Sequence, residues 1–370
     1  MQKKRVAVLD IGSSKMTAFI GERGVNKTFI IKGFKEIEYS GYVGGEFLNL
    51  AETTDVIKQL AVSLKTSSPD TEKIFVGVPA GFTRNIVRDA QISFNKKRKI
   101  TEKEVYALYE RGYKDEIIGC SVINRSPILF ELDDFRKTPD AMGEFSSTLK
   151  GRISYILCID YFTKTIRSAL AEIGFDDVEF VSVALAEAMY LIAPEQRDRL
   201  ALLVDVGYIA STFMLVQGDG ILYQRSFDYG GGFITAGLTE RFDADFDVAE
   251  KLKRKVTLSI DASSDDVYEV INGDECVYFN KNKVKTTILS SLDKLAEEID
   301  TCFKNTRINI PEYLPLLITG GGVCFLRGAK EHLSNRLNVI VDTVSPNIPL
   351  YDTPINSSYL SVLNLALEQQ

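Results

Sequence analysis

Two apolar runs of strand length end in the same polar signature. Val6 to Ile20 reads VAVLDIGSSKMTAFI, and Ala201 to Val216 reads ALLVDVGYIASTFMLV. Each has an apolar strand, an Asp, one apolar residue, a Gly, a short turn and a second apolar strand. Asp10 matches Asp205, and Gly12 matches Gly207. A further strand follows each hairpin, TFIIKGFKEI in the first half and GILYQRSF in the second. Two such halves predict an α/β fold with a duplicated core and a cleft between two lobes.

The pattern changes between the halves. KIFVGVPAGFTRNIVRDAQISF reads as two strands, and NKKRKITEKEVYALYERGY as a basic loop leading into a helix. Thr101 and Glu104 have capping-box spacing, and Val105, Leu108 and Tyr109 form a helical stripe. PILFELDDF and KGRISYILCIDY read as further strands. The expected organisation is a first-lobe core of residues 1–80, 161–197 and 356–370, with an α+β subdomain inserted at 81–160. Residues 198–255 and 309–355 are expected to form the second-lobe core, and 256–308 its small subdomain.

In the second half DFDVAEKLKRKV opens a helix, with Asp247 and Glu250 at capping-box spacing. Ile288, Leu292, Leu295, Ile299 and Phe303 predict a long helix over about 284–304. LPLLITGGGVCFLRGAKEHL reads as a buried strand, a triple glycine and a helix, and NSSYLSVLNLALEQQ as a final packed helix.

Composition narrows the function. The 370 residues carry a formal net charge of -7, which argues against general nucleic-acid binding. Five scattered cysteines without a CxxC argue against a disulfide framework or a structural zinc site. The single histidine, His332, lies in a helical pattern, so His-based catalysis is a poor fit. No long apolar stretch follows the basic N-terminus, so neither a signal peptide nor a transmembrane helix is expected, and the expected location is cytoplasmic.

The chemistry concentrates in glycine-rich turns. In LDIGSSK, the N–H groups around Gly12, Ser13 and Ser14 can make a nest for phosphate oxygens. Lys15 adds positive charge, and Asp10 can hold a hydrated Mg²⁺. Gly320, Gly321 and Gly322 form a second turn, expected to sit before a helix N-terminus. Gly230, Gly231 and Gly232 form a third. The bare reading of Glu250 and Lys253 is a solvent-exposed ion pair worth a few tenths of a kcal/mol.

The order of these segments resembles the actin/sugar-kinase/chaperone ATPase superfamily, and within it the bacterial cell-division FtsA family. LDIGSSK resembles the first phosphate motif, and GVPAGF, ITEKEV and TPDAMGEFSSTLKG resemble the family's inserted subdomain. DYGGGFITAGLTERFDADFDVAEKLKRK resembles the region after the second phosphate motif, and LLITGGGVCFLRGAKEHL the adenosine motif. The resemblance runs from about Arg5 to Leu367. It implies a two-lobed actin-like fold binding ATP and Mg²⁺. Asp10 and Asp205 would carry the metal and the chemistry, and Gly207 would face the phosphates. Glu250 and Lys253 would meet the ribose and adenine, with Gly321 and Gly322 against the nucleoside.

Two departures change the expected activity. The family's second motif continues with two glycines, Thr and Asp; here Tyr208, Ile209, Ala210, Ser211 and Thr212 stand there. Bulk at Tyr208 and Ile209 hinders close backbone approach to a phosphate, so hydrolysis is expected to be slow or absent. The second is the end of the chain, where SVLNLALEQQ lacks the basic residues of a membrane-lying helix, so no intrinsic membrane anchor is expected.

The implied role is an adaptor in the division machinery. Its implied partners are the tubulin-like division protein (FtsZ) and other division proteins, with self-association into protofilaments. A PilM-like cytoplasmic adaptor of pilus assembly is the alternative, and a sugar kinase on the same core a third. The inserted subdomain and the lack of a recognisable sugar-binding acid argue against the third.

Overall fold

The computed structural model describes residues 5–113, 117–273 and 275–369. The basic N-terminal residues 1–4 and the terminal Gln370 lie outside them. Two five-stranded sheets share one topology. The first runs Phe29–Glu38, Lys15–Arg23, Arg5–Ile11, Lys73–Val78, Asp177–Ser182. The second runs Gly220–Phe227, Ser211–Gln217, Ala201–Val206, Leu316–Thr319, Val341–Thr343. Each is an antiparallel three-strand meander with two parallel strands added beyond its first strand. The echo extends to register: Asp10 stands opposite Thr17 and Gly77, and Asp205 opposite Thr212 and Thr319.

The central strands are apolar on both faces because helices cover both sides. On the first sheet the helix Ser357–Glu368 buries Leu360, Val362 and Leu363 against Val6, Val8 and Phe19. The helix Leu50–Ser67 lies in the other core cluster, with Ile57, Leu60 and Leu64 beside Leu9 and Ile11. Its first turn is fixed by Asn49, whose side-chain oxygen accepts the Glu52 N–H at 3.1 Å.

Inserted between the first-sheet strands Lys73–Val78 and Asp177–Ser182 is a four-stranded sheet ordered Thr83–Lys99, Phe145–Ile159, Cys120–Glu131, Lys137–Thr138. The helix Glu102–Gly112 covers one face, its Leu108 packed with Phe130, Leu149, Ile153 and Tyr155. The Thr101 N–H donates to the Glu104 carboxylate at 3.0 Å, as the capping-box spacing predicts. This sheet also bonds to the second lobe. Asn85 Nδ2 and Ser154 Oγ each donate to the Ile221 carbonyl at 2.9 Å, and the Asp219 N–H donates to Pro127 O at 3.0 Å.

Three local expectations need correction. Asn95 to Lys99 are not a loop; they continue the strand Thr83–Lys99, where Lys99 pairs with Phe145. Asp247 and Glu250 form no capping box. The helix is Phe246–Lys255 with Asp245 at its N-cap, so Asp247 already lies in the first turn. The helix after the triple glycine starts at Ala329, behind Gly328 at φ 93, so Gly320 to Gly322 do not abut a helix N-terminus. The small subdomain expected at 256–308 contains the hairpin of Val267–Asn272 and Glu275–Asn280.

Candidate functional site

The two central strands each deliver a carboxylate to the cleft. Asp10 is buried, and the Ser358 hydroxyl lies 2.7 and 2.9 Å from its two oxygens. Burial pushes Asp10 up to about 6, against the opposing bond from Ser358 and the charge of Lys15. Burial, then the neighbouring Asp10 charge, pushes Asp205 up to about 7. A third acid, Glu187, joins them from the helix Val183–Leu191. Burial and the charges of Asp205 and Asp10 raise it well above the usual carboxylate range, and its Oε1 has no hydrogen-bond partner. Sequence reasoning missed Glu187; the signal was one acid inside the apolar run VALAEAMYL. Ser182, accepting the Leu185 N–H at 3.3 Å, sets that helix start and so aims Glu187 inwards.

The acids make stability depend on pH. A carboxyl raised in the folded chain keeps its proton after the unfolded chain, near 3.8, has lost it. That contribution is full below the unfolded value and disappears as pH rises through about 6 to 7. The chain is expected to melt higher at pH 5 than at pH 8, and Asp10→Asn to flatten the difference. Equal melts at both pH values in the unmodified chain would contradict this.

The turns after the two acids bond directly to each other. The Ile209 and Ala210 N–H groups donate to Ser13 Oγ at 3.0 and 3.4 Å. Ser14 O accepts the Tyr39 N–H at 3.1 Å, and the Tyr39 hydroxyl donates to Gly12 O at 2.8 Å. Lys15 turns outwards along its strand to an ion pair with Glu36 at 2.7 Å.

The other glycine turns close on the same point. The helix Gly231–Phe242 starts at Gly231 itself, so Gly231 and Gly232 are its first turn rather than a loop before it. Their N–H groups donate to the Gly207 and Tyr208 carbonyls at 2.9 and 2.7 Å, and the Gly322 N–H donates to Val206 O at 2.7 Å. A Cβ on Gly231 would lie 2.4 Å from Gly322 O, and one on Gly207 2.4 Å from Ala210 O. Gly320, at φ 89, has no room for a Cβ because Asp205 Oδ1 would be 2.1 Å away. Gly321 faces Ile355. These glycines therefore let three backbone turns touch one another.

Glu250 and Lys253 are not the solvent-exposed pair that spacing suggests. Lys253 is 1% exposed, and its ammonium donates to Gly231 O at 2.9 Å, Thr235 Oγ1 at 2.8 Å and Glu250 Oε2 at 2.7 Å. Those are its three N–H donors. Burial lowers Lys253, partly offset by Glu250; at Glu250, bonds from Lys253 and Thr235 outweigh burial and hold the carboxyl below its ordinary value. The Tyr208 ring lies against Gly232, with its centroid 5.5 Å from Lys253 Nζ and 6.4 Å from the Phe246 ring. Beside them, Arg254, Lys255, Val256, Thr257, Phe325 and Arg327 line a cavity of about 350 Å³.

These residues fit Mg²⁺ and ATP unequally. Buried carboxylates with an unpartnered oxygen suit a hydrated Mg²⁺ held mainly through its waters. No cluster of three or more acid, His or Cys side chains forms a direct ligand set among the described residues. The phosphate cradle is partly occupied: the N–H groups of Ile209, Ala210, Gly231, Gly232 and Gly322 are bonded to protein oxygens, and in the first loop the Gly12 N–H donates to Lys15 O at 2.9 Å, so a phosphate at the second loop has to displace Ser13.

Known proteins resemble this chain in sequence and fold. The family model described as Type IV pilus assembly protein PilM matches residues 163–269. Cell division protein FtsA of Staphylococcus epidermidis is 22% identical, over 99% of this chain and 80% of that protein. FtsA of Buchnera aphidicola is 20% identical, over 90% of this chain and 80% of that protein. Among solved structures, a PilM-PilN type IV pilus biogenesis complex aligns at a TM-score of 0.65 and 18% identity, covering 98% of both chains. MreB5 of Spiroplasma citri bound to ADP aligns at 0.58 and 11% identity, over 99% of this chain and 97% of that one. The fold is the two-lobed actin-like one.

Proposed function

We propose that this chain, with its actin-like fold and its likeness to FtsA, is a nucleotide-responsive adaptor with slow or no hydrolysis. One observation carries this reading. Ser13 Oγ occupies the N–H pair of Ile209 and Ala210, where the superfamily resemblance puts a phosphate oxygen. The lobes therefore close through protein bonds, and a nucleotide has to displace them. When bound, ATP and Mg²⁺ would supply phosphate charge and a Lewis acid above Asp10, Asp205 and Glu187. This chain's own part is to hold those carboxylates buried and to exchange Ser13 for phosphate at the second loop. Glu250 and Lys253 brace the turn from behind, and the cavity at Phe325 and Arg254 lies where a nucleobase would enter.

The cellular setting proposed first is cell division, which the FtsA relatives, matched over 80% of their length, support. A second setting, pilus assembly, is favoured by the PilM match over 163–269 and the PilM-PilN structural likeness. Capture from solution separates them. The purified chain is offered the tubulin-like division protein and, separately, a peptide from the cytoplasmic N-terminus of a pilus membrane protein. Binding of the first alone supports division, and binding of the peptide alone supports pilus assembly. Binding of neither would sink both settings.

A further inference from the structure

The outer tip of the inserted sheet carries a surface that the cleft does not use. Near that end the strands Thr83–Lys99 and Phe145–Ile159 lose register. Lys99 and Arg98 face Phe145 and Ser146, and pairing resumes only at Ser93 opposite Thr148. Phe94 to Lys97 therefore bulge out opposite Ser147 alone. Lys97 ties this bulge to the next turn through Asp133 at 3.5 Å. In that turn Phe135 sits at φ 63 and is 78% exposed. The left-handed region is an outlier for so bulky a side chain. Here it holds an aromatic ring outwards.

The neighbours extend the patch. Phe145 is 58% exposed and Met142 45%. Lys99 stands across from Phe145, and its Cε lies 3.9 Å from where a Cβ on Gly143, next to Met142, would sit. Lys150 Nζ lies 5.9 Å from the Phe135 ring centroid and links that ring to the sheet.

Charge tells which partner fits. Most acids here are paired: Asp133 with Lys97, Glu104 with Arg98, Asp134 and Glu144 with Arg136, and Glu131 with Lys150. Asp140 remains, its carboxylate accepting the Met142 N–H at 2.8 Å. Lys96, Lys99 and Lys137 are exposed lysines with no ion pair among the described residues. Lys96 and Lys99, with Lys137 across the strand from Glu131, thus flank apolar side chains that project outwards. A projecting surface of this kind suits a soft, anionic interface that admits rings and presents phosphates. A folded acidic protein would instead have to supply pockets for all three side chains.

We propose that this tip docks on an anionic lipid bilayer. Phe135, Phe145 and Met142 enter the headgroup region, and Lys96, Lys99 and Lys137 meet lipid phosphates. The tip lies outside the nucleotide cleft, so the proposal stands apart from the adaptor reading.

Vesicle sedimentation of the full chain without nucleotide tests it. Vesicles of phosphatidylcholine alone are compared with vesicles containing phosphatidylglycerol, at low and high salt. The chain is expected to sediment only with the anionic vesicles and to be released by salt. Phe135→Ser with Phe145→Ser, and separately Lys96→Glu with Lys99→Glu, should each weaken binding about tenfold or more while leaving the thermal melt unchanged. No binding to anionic vesicles would overturn the proposal, as would undiminished binding by both variants. Sedimentation velocity adds one more outcome: self-association lost in the variants with vesicle binding intact would assign the patch to a second copy of the chain and overturn the lipid assignment.

Discussion

Replacing Lys253 by Met is expected to lower the unfolding free energy by about 3–5 kcal/mol, the range for removing one partner of a buried ion pair. The size follows from what the ammonium holds. It is buried, and it ties Gly231 O, Thr235 Oγ1 and Glu250 Oε2 together at the start of the helix Gly231–Phe242. Without it, Glu250 keeps a half-buried charge whose remaining partners are Thr235 at 2.6 Å and Arg254 at 3.1 Å. Removing both charges, as Lys253→Met with Glu250→Leu, should recover part of the loss, because no unpaired charge is then buried. Urea unfolding of the three chains decides this. A Lys253→Met chain within about 1 kcal/mol of the unmodified one would match an exposed pair and contradict the geometry.

Restoring glycine at Tyr208 and Ile209 together is expected to tighten nucleotide binding by about tenfold, which is about 1.4 kcal/mol. Two side chains are removed. The Tyr208 ring leaves Gly232, Phe246 and Lys253. The Ile209 side chain leaves Gly41, whose Cβ position is 2.9 Å from Ile209 Cδ1. The double variant loses some stability from two added glycines, roughly 1 kcal/mol each, so its fold is checked by thermal melt before titration. Titration with a fluorescent ATP analogue measures the effect. Unchanged or weaker affinity would show that the two side chains do not obstruct the site.

The sequence made the fold legible where residues repeat a chemical pattern. Asp10 with Gly12 and Asp205 with Gly207 marked two hairpins, and the sheets around them share strand order and register. The capping box at Thr101 and Glu104 was legible for the same reason, since both partners sit within one helical turn. What stayed hidden depends on contacts between distant segments. Glu250 and Lys253 look exposed by spacing; only the turn at Gly231 and the side chain of Thr235 bury them. Ser13 reads as a phosphate donor, yet its partners are Ile209 and Ala210, nearly two hundred residues away. Lys15 likewise reads as a phosphate ligand, and its ion pair with Glu36 comes from the adjacent strand. Glu187 carried a signal in its apolar run, but its role rests on Asp10 and Asp205 from two strands elsewhere in the chain.

The most direct test of the account is ATP turnover by the purified chain beside its Asp10→Asn variant. A cleft closed by its own Ser13 predicts phosphate release at background level from both proteins. Turnover well above background that is lost on replacing Asp10 would show a working phosphate cradle and contradict the account.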